Sequence, residues 1–187
     1  MTRLLLARHG LTDWNQQGRY QGHADPPLNH IGRAQAEILA SQVLDHSVEV
    51  VYSSDLIRAL ETAQFIASRL GVETRTDQRL REIHLGEWEG MYIDDIIVKY
   101  PKEWDMRKTD PMNARPPGGE TLAELDERMR SFADEVSLLY PSSALVVVSH
   151  GLAIATLYCR VNSIPIDDAY QNIPDNARIL EIIWPRN

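Results

Sequence analysis

A single cysteine, Cys159, is all the thiol chemistry that the 187-residue chain holds. One cysteine excludes an intrachain disulfide and any cysteine-rich metal site. Long apolar runs are missing as well. Leu4–Ala7 is apolar but ends at Arg8 and His9, far short of a secretory signal. No stretch approaches the ~20 apolar residues of a membrane span. Nor is there an excess of basic charge: 19 Lys and Arg against 27 Asp and Glu leave a net charge of −8. That balance argues against non-specific nucleic-acid binding and against anionic membranes, which need clustered Lys and Arg. With 10 Gly and 10 Pro, no collagen-like or low-complexity reading applies. The expectation is a cytoplasmic enzyme or binding domain whose partners are neither nucleic acid nor membrane.

The composition that is present, 43% apolar and 25% charged, is ordinary for a soluble globular chain. Its length suits one domain over residues 1–187. Arg3–Ala7, Val48–Tyr52 and Ala144–Val148 are short continuous apolar runs, the pattern of central parallel strands covered on both faces. Glu73–Arg75 reads as a shorter strand, and Arg178–Trp184 as a late edge strand. Between them lie helical patterns. Ile31–Leu44 places Ile31, Ala34, Ile38 and Leu39 on one face. Leu56–Leu70 has Asp55 before it as an N-cap. Leu122–Tyr140, with Leu122, Leu125, Met129, Phe132, Val136 and Leu139 apolar, opens on the capping-box pattern Thr121…Glu124. Leu152–Cys159 is a short apolar helix. Strands alternating with helices predict an α/β fold, a three-layer α/β/α sandwich on a mostly parallel sheet. Residues 91–119, with Pro101, Pro111, Pro116, Pro117 and a Gly118-Gly119 end, read as an inserted excursion or lid with one short helix.

Chemistry-bearing residues follow each central strand: Arg8-His9-Gly10, then Ser53-Ser54-Asp55 with Arg58 close behind, then Ser149-His150-Gly151. In open α/β sheets, sites form beyond the carboxyl ends of the strands. If these strands are parallel neighbours, two Arg and two His converge at one edge of an acidic protein. Guanidinium pairs bidentately with phosphate or carboxylate, and early helix turns add N–H groups and a favourable dipole. The sum describes a phosphate pocket with an imidazole able to attack phosphorus.

The stretch Leu6-Ala7-Arg8-His9-Gly10-Leu11-Thr12-Asp13-Trp14-Asn15 resembles the signature of the histidine phosphatase superfamily. This clan holds cofactor-dependent phosphoglycerate mutases, broad-specificity phosphatases and α-ribazole phosphatases. The likeness continues through Gln21-Gly22, Pro27-Leu28-Asn29, Ser53-Ser54-Asp55-Leu56, Arg58-Ala59 and Leu80-Arg81-Glu82-Ile83. It extends over Gly86-Glu87-Trp88-Glu89-Gly90, Pro117-Gly118-Gly119-Glu120 and Val147-Val148-Ser149-His150-Gly151. Arg-His-Gly alone is a weak signal; all blocks in order are specific. The resemblance implies a phosphoglycerate mutase-like fold and hydrolysis of small soluble phosphomonoesters. His9 would be the nucleophile, and Arg8, Arg58 and His150 would hold the phosphoryl oxygens. Glu82 would be the general acid, for which a raised pKa would help. Asn15, Gln21, Gly22 and Gly151 would line the same pocket. No metal and no cofactor are implied.

Two other functions are weighed. The mutases carry a longer excursion with an Arg-Arg pair for a substrate carboxylate, and Asn after the second His-Gly. Here residues 91–119 hold no such pair, and Leu152 follows Gly151. A non-catalytic phosphate-binding module would lose the nucleophile or acid, yet His9 and Glu82 are both present. Gly10 is read as leaving room for the ring and the phosphate, and Arg8 and Arg58 as keeping His9 neutral. Trp88 is read as core. His23, His30, His46 and His84 are expected to be surface or structurally satisfied residues. Glu120 and Thr121 are expected to cap a helix. Lys99, Lys102, Arg107, Lys108 and Arg115 are expected to be solvated, with the alternative that one reaches a substrate anion. An edge strand near the C-terminus leaves a homodimer open.

Overall fold

A computed structural model describes residues 1–185; positions 186–187 at the end of the expected domain lie outside the described residues. Five strands form one sheet in the order β3-β2-β4-β1-β5. They are β1 (Thr2–Arg8), β2 (Val48–Ser53), β3 (Thr74–Thr76), β4 (Ala144–Ser149) and β5 (Ile179–Trp184). β1, β4, β2 and β3 run parallel, and β5 closes the β1 side antiparallel. The apolar runs of β1 and β4 split between two cores because successive side chains point to opposite faces. Leu4, Leu6, Leu145 and Val147 pack with one cluster; Leu5, Ala7, Val146 and Val148 pack with the other.

The first cluster is covered by α6 (Leu122–Leu139) and α7 (Gly151–Val161), the second by α2 (His30–Gln42) and α3 (Ile57–Leu70). The three-layer α/β/α expectation therefore holds. Thr121 caps α6 through the expected capping box. The short helix α1 (Asp13–Gln17) is capped the same way by Thr12.

Four local expectations are corrected. α2 buries Gly32, Ala36, Leu39 and Ala40, leaving Ile38 59% exposed. Small residues let this helix lie close to the chain after β1, so the buried face is the one that is narrow rather than the one that is most apolar. Leu139, at the end of α6, is exposed. Asp55 does not cap α3. It pairs with Arg81 through two short hydrogen bonds, while Asp25 Oδ1 takes the Ile57 N–H at 2.7 Å. The stretch 91–119 carries two helices, α4 (Ile93–Lys99) and α5 (Pro101–Thr109), rather than one. Pro101 stands at the start of α5, where its missing N–H costs nothing and its fixed φ suits a first turn.

Candidate active site

Register brings the three strand ends together. Arg8 of β1 lies opposite Ser149 of β4, and Ser53 of β2 lies opposite Val148. His9 and His150 thus leave the sheet side by side, with ring centroids 5.1 Å apart. Arg58 arrives from the first turn of α3, and His150 is the N-cap residue of α7.

His9 is buried, and its Nδ1 lies 2.7 Å from its neighbour's carbonyl, Gly10 O. A carbonyl only accepts, so Nδ1 carries the proton and Nε2 keeps its lone pair. His150 Nε2 lies 2.9 Å from Ser54 Oγ, which also accepts the Leu56 N–H. With the Ser54 proton donated to Nε2, His150 Nδ1 becomes an N–H donor. Arg58 is fully buried, donating from Nη1 to Ala24 O and from Nη2 to Gly22 O, each at 2.8 Å. Arg8 Nη1 donates to Pro174 O at 2.6 Å. Three buried nitrogens in this cluster, Arg8 Nε, Arg58 Nε and His150 Nδ1, have no hydrogen-bond partner among the described residues. Leaving one such group unpaired costs about 1–3 kcal/mol, so three in one place make this cluster a candidate anion site.

Burial pushes the pKa of His9 and of His150 well below the ordinary imidazole value, and the adjacent Arg58 pushes each further. Arg8 adds to the effect on both. The expectation of a neutral His9 holds, but loss of water is the larger cause. Burial also pushes Arg58 down to about 10 and lowers Arg8; nearby Glu82 opposes both shifts. At neutral pH both guanidinium groups are charged and both imidazoles are not.

Glu82 sits where α7 begins. Its carboxylate accepts the N–H groups of Ile83 (3.0 Å), Leu152 (3.1 Å) and Ala153 (3.1 Å). A helix N-terminus offers unpaired N–H groups and a positive dipole end, and here they hold a carboxylate in place. Its neighbours Glu87 and Glu89 are engaged elsewhere. Glu87 accepts from Tyr100 Oη, and Glu89 Oε1 accepts the N–H groups of His23 and Leu85.

A cleft of about 310 Å³ is lined by Arg8, His9, Asn15, Gln21, Gly22, Arg58 and Glu82, all expected there. The Thr12 hydroxyl lies 3.0 Å from both Asn15 Oδ1 and Gln21 Oε1. Contacts of those two amides with an anion would therefore come from Nδ2 and Nε2. His150 and Gly151 are not on the cleft wall. His150 stands against His9, and Gly151 lies beneath Arg8 and Ile173; a Cβ on Gly151 would come 2.8 Å from Ile173 Cγ2 and 3.3 Å from Arg8 Cζ. Gly10 has a different reason from the one expected. A Cβ there would lie 2.3 Å from Gly32 O of α2, so its space is taken by a neighbouring backbone, not kept for a ligand. Trp88 is core, as expected, with 1% of its surface exposed.

The sequence reading did not place two other contributors to this wall. The first is Arg107 of α5, expected to be solvated. It lines the cleft in a box of aromatic rings, with its guanidinium carbon 4.3 Å from the Tyr170 ring centroid and 4.6 Å from that of Trp104. Trp88 and Tyr20 complete the box, and Arg107 donates to Tyr20 Oη at 3.1 Å. The spacing Trp104-x-x-Arg107 puts both on one helix face, the one signal in the sequence. The second segment, Ile173–Ala177 before β5, reaches back over His9, whose carbonyl accepts the Ala177 N–H and Asn176 Nδ2. His23, expected to be a surface or structurally satisfied residue, is satisfied away from the cleft wall, with its Nε2 2.8 Å from Glu82 O. Among the described residues no group of three or more His, Cys, Asp or Glu is arranged to hold a metal, and no helix is long and apolar enough to cross a membrane.

Comparison with known proteins matches residues 4–187 to the histidine phosphatase superfamily (branch 1). Phosphoserine phosphatase 1 of Hydrogenobacter thermophilus is 34% identical over 177 residues, 95% of this chain and 84% of that one. A probable phosphoglycerate mutase, GpmB of Serratia proteamaculans, is 37% identical over 166 residues, covering 88% of this chain and 77% of its own. Among solved structures, mycobacterial glucosyl-3-phosphoglycerate phosphatase in complex with VO3 superposes with a TM-score of 0.87 at 32% identity, over 96% of this chain and 90% of that one.

Proposed function

The chain belongs to the histidine phosphatase superfamily and is a phosphomonoester hydrolase working through a phosphohistidine; from that premise we propose that His9 takes the phosphoryl group and Glu82 handles the proton. The neutral Nε2 of His9 attacks phosphorus, and the bond from phosphorus to the ester oxygen breaks. Glu82 gives its proton to the departing oxygen, and the alcohol leaves. Glu82 then takes a proton from water as that water's oxygen attacks phosphorus. The phosphorus–nitrogen bond breaks, freeing phosphate and His9. Arg8 and Arg58, on the cleft wall, hold the phosphoryl oxygens throughout, while His150 backs His9 from behind that wall. Splitting one displacement into two easier ones is the gain from a covalent intermediate. Fixed donors around the transferring group supply most of the rest.

One observation carries this reading: three unpaired buried nitrogens, on Arg8, Arg58 and His150, belong to the same cluster as an imidazole whose free lone pair is Nε2. Asn15, Gln21 and Gly22 complete the pocket, and Gly151 lets Arg8 pack close to α7.

The substrate class follows from the outer wall. Arg107 meets no carboxylate within ion-pair distance among the described residues and is held by rings rather than by an acid. It suits an ester whose alcohol half carries a carboxylate. Two relatives, a phosphoserine phosphatase and a glucosyl-3-phosphoglycerate phosphatase, are named for esters of that kind. Residues 1–187 act as one domain in this reading, with 91–119 as the lid that supplies Arg107. A cytoplasmic setting and a homodimer through the outer edge of β5 belong to the same reading.

Identity to a probable mutase favours one second reading, a cofactor-dependent phosphoglycerate mutase. Phosphate release separates the two. The expected result is hydrolysis of phosphoserine, 3-phosphoglycerate and p-nitrophenyl phosphate, lost in His9→Ala, without isomerisation primed by 2,3-bisphosphoglycerate. In Arg107→Gln, KM should rise about tenfold for the carboxylate-bearing esters, the loss of one charge-assisted pair, and stay level for p-nitrophenyl phosphate. Efficient primed isomerisation with little hydrolysis would overturn the phosphatase reading, and an equal KM change on all esters would overturn the role of Arg107.

A further inference from the structure

The block Pro117-Gly118-Gly119-Glu120 contributes nothing to the cleft wall, yet it ends in a half-buried carboxylate 16% exposed. That carboxylate is bound to Arg128 of α6, whose Nε donates to Glu120 Oε1 at 2.7 Å and whose Nη2 donates to Oε2 at 2.8 Å. The other side of the same guanidinium meets the backbone that presents Glu82. Nη1 donates to Arg79 O and Arg81 O, each at 2.6 Å, and Nη2 donates to Glu82 O at 2.9 Å. Glu120 Oε2 also accepts the His84 N–H at 3.2 Å. One side chain and its carboxylate partner therefore hold four backbone groups between residues 79 and 84.

That stretch has little regular structure of its own. A 3₁₀ turn ends at Leu80, and the next one begins at Gly86. The Glu82 side chain leaves from the gap between them and must meet the N-terminus of α7.

We infer that Arg128, locked by Glu120, is a positioning residue for proton transfer by Glu82. It fixes the Glu82 backbone from behind while α7 fixes the carboxylate from the front. The inference rests on Glu82 being the proton donor to the leaving oxygen. The planar fork is what the task needs, because five donors in fixed directions reach carbonyls and carboxylate at once. Lysine, with one ammonium, cannot span them. His23 adds a lighter contact to the same carbonyl, Glu82 O.

A merely structural arginine would affect all substrates alike; one that sets a proton donor would not. An alkyl ester such as phosphoserine needs its leaving oxygen protonated, whereas 2,4-dinitrophenolate leaves unaided. The test compares kcat/KM, which reports formation of the phosphohistidine and leaves out the water step common to both esters, for phosphoserine and 2,4-dinitrophenyl phosphate in the wild type, Arg128→Lys, Glu120→Gln and Glu82→Gln. Glu120→Gln removes the charge that locks Arg128 and keeps the side chain's size, so it serves even where Arg128→Lys folds poorly. The expected result is a loss of about 10–100-fold on phosphoserine in Arg128→Lys, in the range of a misplaced catalytic group. Glu120→Gln should lose less, in the same direction, and neither should lose more than about twofold on the dinitrophenyl ester. Glu82→Gln should show the same split more strongly. Equal losses on both esters, or none, in the Arg128 and Glu120 variants beside a clear split in Glu82→Gln would overturn the positioning role alone. No split in Glu82→Gln would overturn the proton-donor reading and this inference with it.

Discussion

At the scale of single residues, the site depends on what has been removed from water and what backbone stands nearby. The His9 ring is neutral with a free Nε2 because burial and Arg58 disfavour its charged form and Gly10 O fixes its tautomer. Its ring should stay neutral as pH falls below the ordinary value of about 6.5. NMR titration of the side-chain nitrogens checks this: the His9 and His150 signals should keep their neutral positions through pH 6, and a midpoint at or above 6.5 for either would contradict the account. The glycines Gly10 and Gly32 act as a pair. A Cβ on Gly32 would lie 2.1 Å from Leu11 O, two residues past His9. Gly32→Ala should cost about 2–3 kcal/mol by overpacking, measured by denaturant unfolding, and lower activity by shifting His9. A variant as stable and as active as the wild type would show that this contact yields easily. Spacing in the sequence could not show either partner of that pair, since it is a contact between chain segments rather than a local pattern.

The elements were legible wherever one repeat of hydrophobicity sufficed. β1, β2 and β4 stand where continuous apolar runs put them, because strands buried on both faces need no alternation. The face of α2 was misread because it is small rather than apolar, with Gly32 and Ala36 allowing close approach to the loop after β1. The start of α3 was misread because its cap comes from Asp25, 32 residues upstream of Ile57, while the adjacent Asp55 is drawn off by Arg81. Asp25→Ala should therefore cost about 1 kcal/mol, the ordinary value of a lost N-cap, and Asp55→Ala should not affect α3 helicity. Unfolding midpoints of the two variants, with hydrogen exchange at Ile57 and Arg58, distinguish these outcomes; faster exchange there in Asp55→Ala alone would reverse the assignment. The aromatic box around Arg107 draws on four separate segments. Only its Trp104–Arg107 side was readable in one helix.

For the whole molecule, parallel register explains why the site residues were legible before the fold was known: each strand delivers its next residue to one edge. The reverse holds for Ile173–Ala177, a segment with no signal of its own, and for Arg128, whose helix was legible but whose partners in residues 79–84 were not. The same burial that keeps His9 and His150 neutral has a cost in acid. Unfolded, each binds a proton near pH 6.5; folded, neither does until a lower pH. The unfolded state then binds more protons, so stability rises with pH across that window and falls as pH drops below about 6.5. His150→Gln should flatten the dependence of the urea midpoint between pH 7 and pH 5, and an unchanged slope would show that His150 takes up its proton in the folded state too.

The identity of the nucleophile is tested most directly by stopping the reaction midway. Glu82→Gln, which slows proton transfer to and from the bound groups, is mixed with 2,4-dinitrophenyl phosphate and quenched in base, where phosphorus–nitrogen bonds survive. Peptide mass spectrometry then locates the phosphoryl group. The account predicts an acid-labile phosphoryl group on His9, formed in step with a burst of dinitrophenolate and absent from His9→Ala. A phosphoryl group on His150 instead, or turnover with no trapped group and activity surviving in His9→Ala, would contradict it.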